Sequence, residues 1–196
     1  MKTNQGFTIV ELMVGVAILG IMITLAVPSL NEMLTKMRVD DEISQVHRLV
    51  STARNTAINM EHPVTMCPLK ANKCDISAWD EEISVFIDLN SNGVFESSVS
   101  IDVDNDGTME TLAETLIRVK RPVKEGDELD YDFTRLTYAA TGQATFGRGT
   151  FTYCPKDKSD FNRGVVVSFR GRAYKTKDID GDDKDELRSG GELSCD

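Results

Sequence analysis

Residues 12–31 read LMVGVAILGIMITLAVPSLN, and no charged residue lies between Glu11 and Glu32. That run narrows the folds open to this chain more than anything else in it. About twenty helical residues at a rise of about 1.5 Å span about 30 Å, the hydrocarbon thickness of a bilayer. Taken alone, the run fits a signal-anchor or a secretory signal peptide. A secretory signal has a shorter apolar core and a small-residue cleavage site, and Ala26-Val27-Pro28 makes a poor one. Pro28 removes a backbone hydrogen bond inside the run, so a kink is expected there. Gly15 and Gly20 permit close approach of other helices.

A carboxylate, Glu11, stands at the start of the run. An acid costs about 2.5–3.5 kcal/mol at mid-bilayer and less near the interface, so one kept here needs a partner. It belongs to Gly6-Phe7-Thr8-Ile9-Val10-Glu11-Leu12, which follows a short polar leader carrying Lys2. This segment resembles the motif of type IV prepilins. The resemblance implies cleavage between Gly6 and Phe7 by a prepilin peptidase, followed by N-methylation of Phe7. It makes Glu11 the assembly residue, pairing with the α-amino group of Phe7 on a neighbouring subunit and relieving two buried charges. It further implies an α+β type IV pilin fold. Such a protein sits in the bacterial inner membrane as a single-pass protein with a periplasmic head, then enters a pilus at the cell surface.

Past Asn31 the pattern becomes amphipathic. Ile43, Val46, Leu49, Val50, Ala53, Ala57 and Met60 recur at spacings of three and four, which predicts one apolar helical face. Pro63 ends the helix and biases His62 toward extended backbone. One helix is therefore expected from about Phe7 to about Glu61. His47 and His62, the only two histidines, match no metal or triad spacing and read as helix-surface residues. The remainder reads as β-rich, with strands expected near residues 64–67, 83–88, 112–119, 136–140, 149–154 and 164–170 between Gly, Pro, Asn and Asp turns. The chain thus divides into a leader (1–6), a transmembrane or filament-core helix (7–31), its amphipathic continuation (32–62) and a β-rich globular head (63–196). Cys67-Pro68, Trp79, Phe86-Ile87-Asp88, Thr141-Gly142-Gln143, residues 149–154 and Ser168-Phe169-Arg170-Gly171-Arg172 together resemble the GspH/FimT (FimU-like) branch, which holds minor pilins and secretion pseudopilins.

The formal net charge of −10 argues against a generally nucleic-acid-binding surface, which needs Lys and Arg to neutralise phosphates. The acid is clustered: residues 74–117 hold no Lys or Arg. All four cysteines lie beyond the apolar run, as disulfides in an oxidising compartment would. Four cysteines allow three pairings. The favoured one joins Cys67 to Cys74 in a short loop and ties the tail to a core strand through Cys154 and Cys195. The longer loop is worth about 4 kcal/mol and the shorter roughly 2–3 kcal/mol in a chain-entropy treatment. A zinc site is the competing arrangement, but the spacing does not fit a zinc ribbon.

Three acidic segments echo the Dx[DN]x[DN]G layout that sets oxygen ligands around calcium. Asp102, Asp104, Asp106, Thr108 and Glu110 form the first candidate set, and Asp178, Asp180, Asp182 and Glu186 the second. Residues 88–96 lie furthest from the pattern, with one carboxylate among the first five residues. The twelfth-position Glu of a complete EF-hand is missing from all three, replaced by Val99, Ala113 and Ser189. No cofactor is required by this reading, and calcium in the acidic loops is the one ion it suggests.

The sequence holds no nucleophile elbow, phosphate loop or dinucleotide fingerprint, which points away from an enzyme. DNA is the alternative partner. Some FimT-like minor pilins take up DNA with a basic Gly-Arg-x-Arg element. Arg170, Gly171, Arg172, Lys175 and Lys177 echo it here, with Tyr174 where the second Arg would stand. The acidic run from Asp178 follows at once and would repel phosphate. The expectation is a structural subunit, a minor pilin that helps to initiate assembly at the pilus tip or enters the filament with other minor and major pilins. A type II secretion pseudopilin is the alternative.

Overall fold

The computed structural model describes residues 8–103, 106–156, 159–182 and 184–195. In chain order the elements are α1 (Ile9–Met60), β1 (Val64–Lys70), β2 (Lys73–Cys74), β3 (Ile83–Ile87), β4 (Val99–Ile101), β5 (Glu110–Leu112), β6 (Leu116–Lys120), β7 (Glu128–Tyr131), β8 (Leu136–Tyr138), β9 (Ala144–Phe146), β10 (Thr150–Cys154), β11 (Arg163–Val167) and β12 (Ala173–Lys175). Short 3-10 turns occupy Ile76–Ala78 and Ser159–Phe161. The chain divides into two units, Met1–Arg38 and Val39–Asp196.

In the first unit the described residues are helical from Ile9 and carry their apolar side chains in the open. Ile9, Val10, Leu12, Met13 and Ile21 are all more than 60 % exposed. The helix is long and apolar enough to cross a membrane by length and composition. Pro28 lies inside it.

The second unit is built on the stripe that the helical spacing predicts. Ile43, Val46, Leu49, Val50, Ala53 and Ala57 are buried in the main core cluster, joined by Val39 one turn earlier. Met60 departs from the expectation at 54 % exposure. The helix ends on it, and Glu61, at φ 56°, turns the chain away into β1.

One antiparallel sheet runs in the order β6-β3-β1-β8-β9, with β2 hooked onto the end of β1. Strand β1 is central, pairing Thr65 with Phe86 on one side and with Thr137 on the other. Its Val64, Met66 and Cys67 are buried in the main core cluster with Val85, Leu136 and Tyr138 of its neighbours. A second antiparallel sheet runs β12-β11-β10-β7 and sets Phe151 opposite Val165 and Tyr131. Strands β4 and β5 make a separate hairpin.

Aromatic rings lock the 3-10 turn to the second sheet. Tyr131 stacks on Phe151 with centroids 3.8 Å apart, and Trp79 meets both edge-on at 5.1 and 5.2 Å. The Trp79 indole N–H donates to the Phe133 carbonyl at 2.9 Å, so the buried ring leaves no polar atom unmatched.

The strand expected over residues 112–119 is two strands in different sheets. Residues 113–115 break it, because Glu114 is buried and its carboxylate accepts the Leu89 amide and the Glu96 amide, both at 2.9 Å. The strand expected to reach residue 170 stops at Val167. There Gly171, at φ 73°, closes a turn in which its amide donates to the Ser168 carbonyl at 2.8 Å.

Candidate functional site

Gly6 and Phe7 lie outside the described residues. At the start of α1, Thr8 and Glu11 form a reciprocal capping box. The Glu11 amide donates to Thr8 Oγ1 at 3.2 Å, and Glu11 Oε2 accepts the Thr8 amide and hydroxyl, each at 2.9 Å. The signal, Thr8-x-x-Glu11, is legible in the sequence as Ser/Thr-x-x-Glu before an apolar run, but the sequence reading above gave Glu11 only an intermolecular partner. Within one chain the acid therefore already has donors. A Cβ placed on Gly15 or Gly20 meets nothing within 4 Å, so both offer smooth patches on the exposed apolar face.

The cysteines form two disulfides, Cys67–Cys74 across the β1–β2 hairpin and Cys154–Cys195 from the end of β10 to the tail. The tail is held by more than sulfur. Asn162 donates to the Leu193 carbonyl at 2.5 Å, and Leu193 is buried.

The three acidic loops differ in how their oxygens are used. In residues 88–96, Asp88 is fully buried and works as a structural knot. Its carboxylate accepts Thr65 Oγ1 at 2.6 Å and the Asn92 and Gly93 amides at 3.0 Å. Glu96 accepts from Asn90 and Asn92, and those hydrogen bonds hold its carboxyl below the usual glutamate range. In the second loop Asp104 lies outside the described residues. Asp102 accepts the Asp106 and Gly107 amides, Asp106 accepts the Thr108 amide, and Glu110 accepts the Val103 amide. All of these are turn-closing bonds at the surface. In the third loop Asp178, Asp180, Asp182 and Glu186 each bring a carboxylate oxygen within 4.8 Å of the others.

The basic segment is spread out. Arg170, Arg172, Lys175 and Lys177 are exposed, while Lys175 Nζ donates to Ser44 Oγ on α1 at 2.7 Å. The Arg188 guanidinium lies over the Tyr174 ring, 4.0 Å from its centroid, and covers one face that a base would stack on. Asp178 follows Lys177 directly.

Sequence reasoning missed Glu114 and Lys120. Both are buried charged residues, Glu114 within the stretch expected to be a strand and Lys120 just past it, where nothing local marks an inward-facing side chain.

Residues 42–171, more than half of the chain, match the family model described as Type II transport protein GspH. The chain belongs to the GspH family. Residues 1–27 match the prokaryotic N-terminal methylation motif. This is a family of structural pilin and pseudopilin subunits, and it implies interaction with other pilins; the methylation motif implies a prepilin peptidase. Two curated proteins of Pseudomonas aeruginosa, each described as a fimbrial protein, are 28 % identical over 113 residues, which covers 58 % of this chain and 69 % of each of them. Among solved structures, the type IV minor pilin FimU of Pseudomonas aeruginosa aligns with a TM-score of 0.48 at 16 % identity, over 76 % of this chain and 92 % of that one. The minor pseudopilin EpsH of the Vibrio cholerae type 2 secretion system aligns with a TM-score of 0.44 at 15 % identity, over 70 % and 95 %.

Proposed function

We propose that this chain is a minor pilin, a structural subunit that waits in the inner membrane with its head in the periplasm and then enters a type IV pilus. One observation carries the reading: a helix whose apolar side chains stand exposed from Ile9 onward and whose first turns lie within the match to the methylation motif. That surface has to be covered, by lipid before assembly and by neighbouring pilin helices after it. On this reading the peptidase cuts between Gly6 and Phe7 and Phe7 is methylated. Glu11 then exchanges its Thr8 donors for the α-amino group of a neighbouring subunit.

The direct test is mass spectrometry of filaments sheared from cells. A peptide beginning at N-methyl-Phe7 in the sheared fraction supports both processing and incorporation. An unprocessed N-terminus overturns the prepilin reading. Glu11→Ala is expected to leave membrane insertion intact and to remove the protein from the sheared fraction.

The second reading is a type II secretion pseudopilin, favoured by the description of the matching family, Type II transport protein GspH. Processed protein found in the envelope and not in sheared filaments supports it. A DNA-uptake role has less behind it, because Arg188 covers a face of Tyr174 and acid borders the basic strand. A salt-sensitive gel shift lost in Arg170→Ala plus Arg172→Ala would revive it.

A further inference from the structure

We propose that Asp178, Asp180, Asp182 and Glu186 hold a divalent cation, and that the ion is calcium. The four carboxylates bring one oxygen each within 4.8 Å of one another. Proximity alone says little, since exposed acids gather in many turns. The deciding observation is Glu186, which is only 8 % exposed and whose Oε1 is buried with no hydrogen-bond partner. Its other oxygen accepts the Ile179 amide at 2.7 Å, which turns the carboxylate in under the loop. A buried, half-satisfied carboxylate carries a desolvation penalty that a cation at Oε1 removes.

The backbone keeps Glu186 in place. Its amide donates to the Lys177 carbonyl at 3.0 Å, and it bridges both Lys177 and Glu192. The Lys184 ammonium lies 3.8 Å from Asp182 and is shared with Glu192 at 3.4 Å. Four carboxylates in an irregular loop suit a hard ion that accepts six to eight oxygens in flexible geometry, which describes calcium better than magnesium. Backbone amides close turns on the carboxylates of all three loops, here Gly181 on Asp178, Asp182 on Asp180 and Lys184 on Asp182, so the contrast lies in the orphan oxygen. Asp88 spends both oxygens on Thr65, Asn92 and Gly93, and Asp102 spends both on the Asp106 and Gly107 amides. Neither shows a buried orphan oxygen among the described residues.

Full-length protein in detergent, stripped with chelator, is melted with calcium or magnesium alone. Sites of this type bind calcium at roughly 0.1–1 mM, so about 10 mM calcium is expected to raise Tm by about 3–10 °C. Glu186→Gln and Asp180→Asn are expected to lose most of that rise, and Asp102→Asn to keep it. Should Glu186→Gln fail to fold, the exposed Asp180→Asn decides alone. No rise in the wild type, or a full rise in Asp180→Asn, overturns the site. An equal rise with magnesium overturns the assignment to calcium.

Discussion

Lys120 Nζ, at the end of β6, lies 2.7 Å from Glu42 Oε2 on α1, and the two side chains are 4 % and 16 % exposed. The contact is an ion pair, while the hydrogen bond from Lys120 Nζ goes to the Arg121 carbonyl at 3.1 Å. Strand β6 is the outer strand of its sheet, so this pair ties a sheet edge to the helix. Removing one member leaves the other charge buried and unpaired. Lys120→Met is expected to cost about 3 kcal/mol in urea unfolding, while the double variant Lys120→Met, Glu42→Leu costs about 1 kcal/mol or less. Equal losses in the two proteins would show that the pair itself, not the orphan, carries the energy.

Trp79 is the chain's single tryptophan, so its fluorescence reports on the aromatic cluster directly. Trp79→Ala is expected to cost about 3–5 kcal/mol. Trp79→Phe keeps an edge-on ring but strands the Phe133 carbonyl, at about 1–3 kcal/mol. Thermal unfolding of the two variants separates ring packing from the hydrogen bond.

Glu114 gives a pH signature. Burial is the main influence on its carboxyl and raises it above the ordinary 4.5, with the Asp88 and Glu96 carboxylates pushing the same way and the Glu96 and Leu89 amides opposing. The folded chain then binds a proton more tightly here than the unfolded chain does. Stability tied to Glu114 is therefore greatest below pH 4.5 and declines as pH rises through the higher folded value. Glu114→Gln is expected to lower stability overall, because it replaces one acceptor oxygen with a donor, and to flatten that decline. Unfolding free energies between about pH 4 and 7 check the slope.

A glycine pair tests close approach against backbone strain alone. Gly147 sits at φ 74°, and a Cβ there would lie 2.1 Å from the Arg135 carbonyl oxygen. Gly107 has φ 89° and open space around it. Gly107→Ala is expected to cost about 1 kcal/mol and Gly147→Ala clearly more, about 2–4 kcal/mol, in the same melts.

Much of the architecture was legible because periodicity speaks for itself. The stripe from Ile43 to Ala57 faces the core as its spacing requires, and the strongest strand-like segments became β1, β3, β10 and β11. Short strands escaped notice: β7, β9 and β12 have only three or four residues each, too few for alternation to show. The break at Glu114 was invisible because its partners, Leu89 and Glu96, lie 25 and 18 residues away. The acidic loops look alike in sequence and all close turns on backbone amides; the structure sets one apart by the buried Glu186 oxygen that no donor reaches. Capping, by contrast, is local, and Thr8-x-x-Glu11 announces it in four letters.

The Cys154–Cys195 bridge closes a ring of chain across a separation of 41 residues. That ring contains β11, β12 and the whole of the acidic loop at residues 178–186. A protease that cuts any single peptide bond inside it leaves both fragments on one covalent molecule for as long as the sulfurs stay oxidised. A cut in the exposed stretch at residues 177–182 therefore leaves one covalent molecule, and a nicked subunit would run at full length until a reductant is added to the gel.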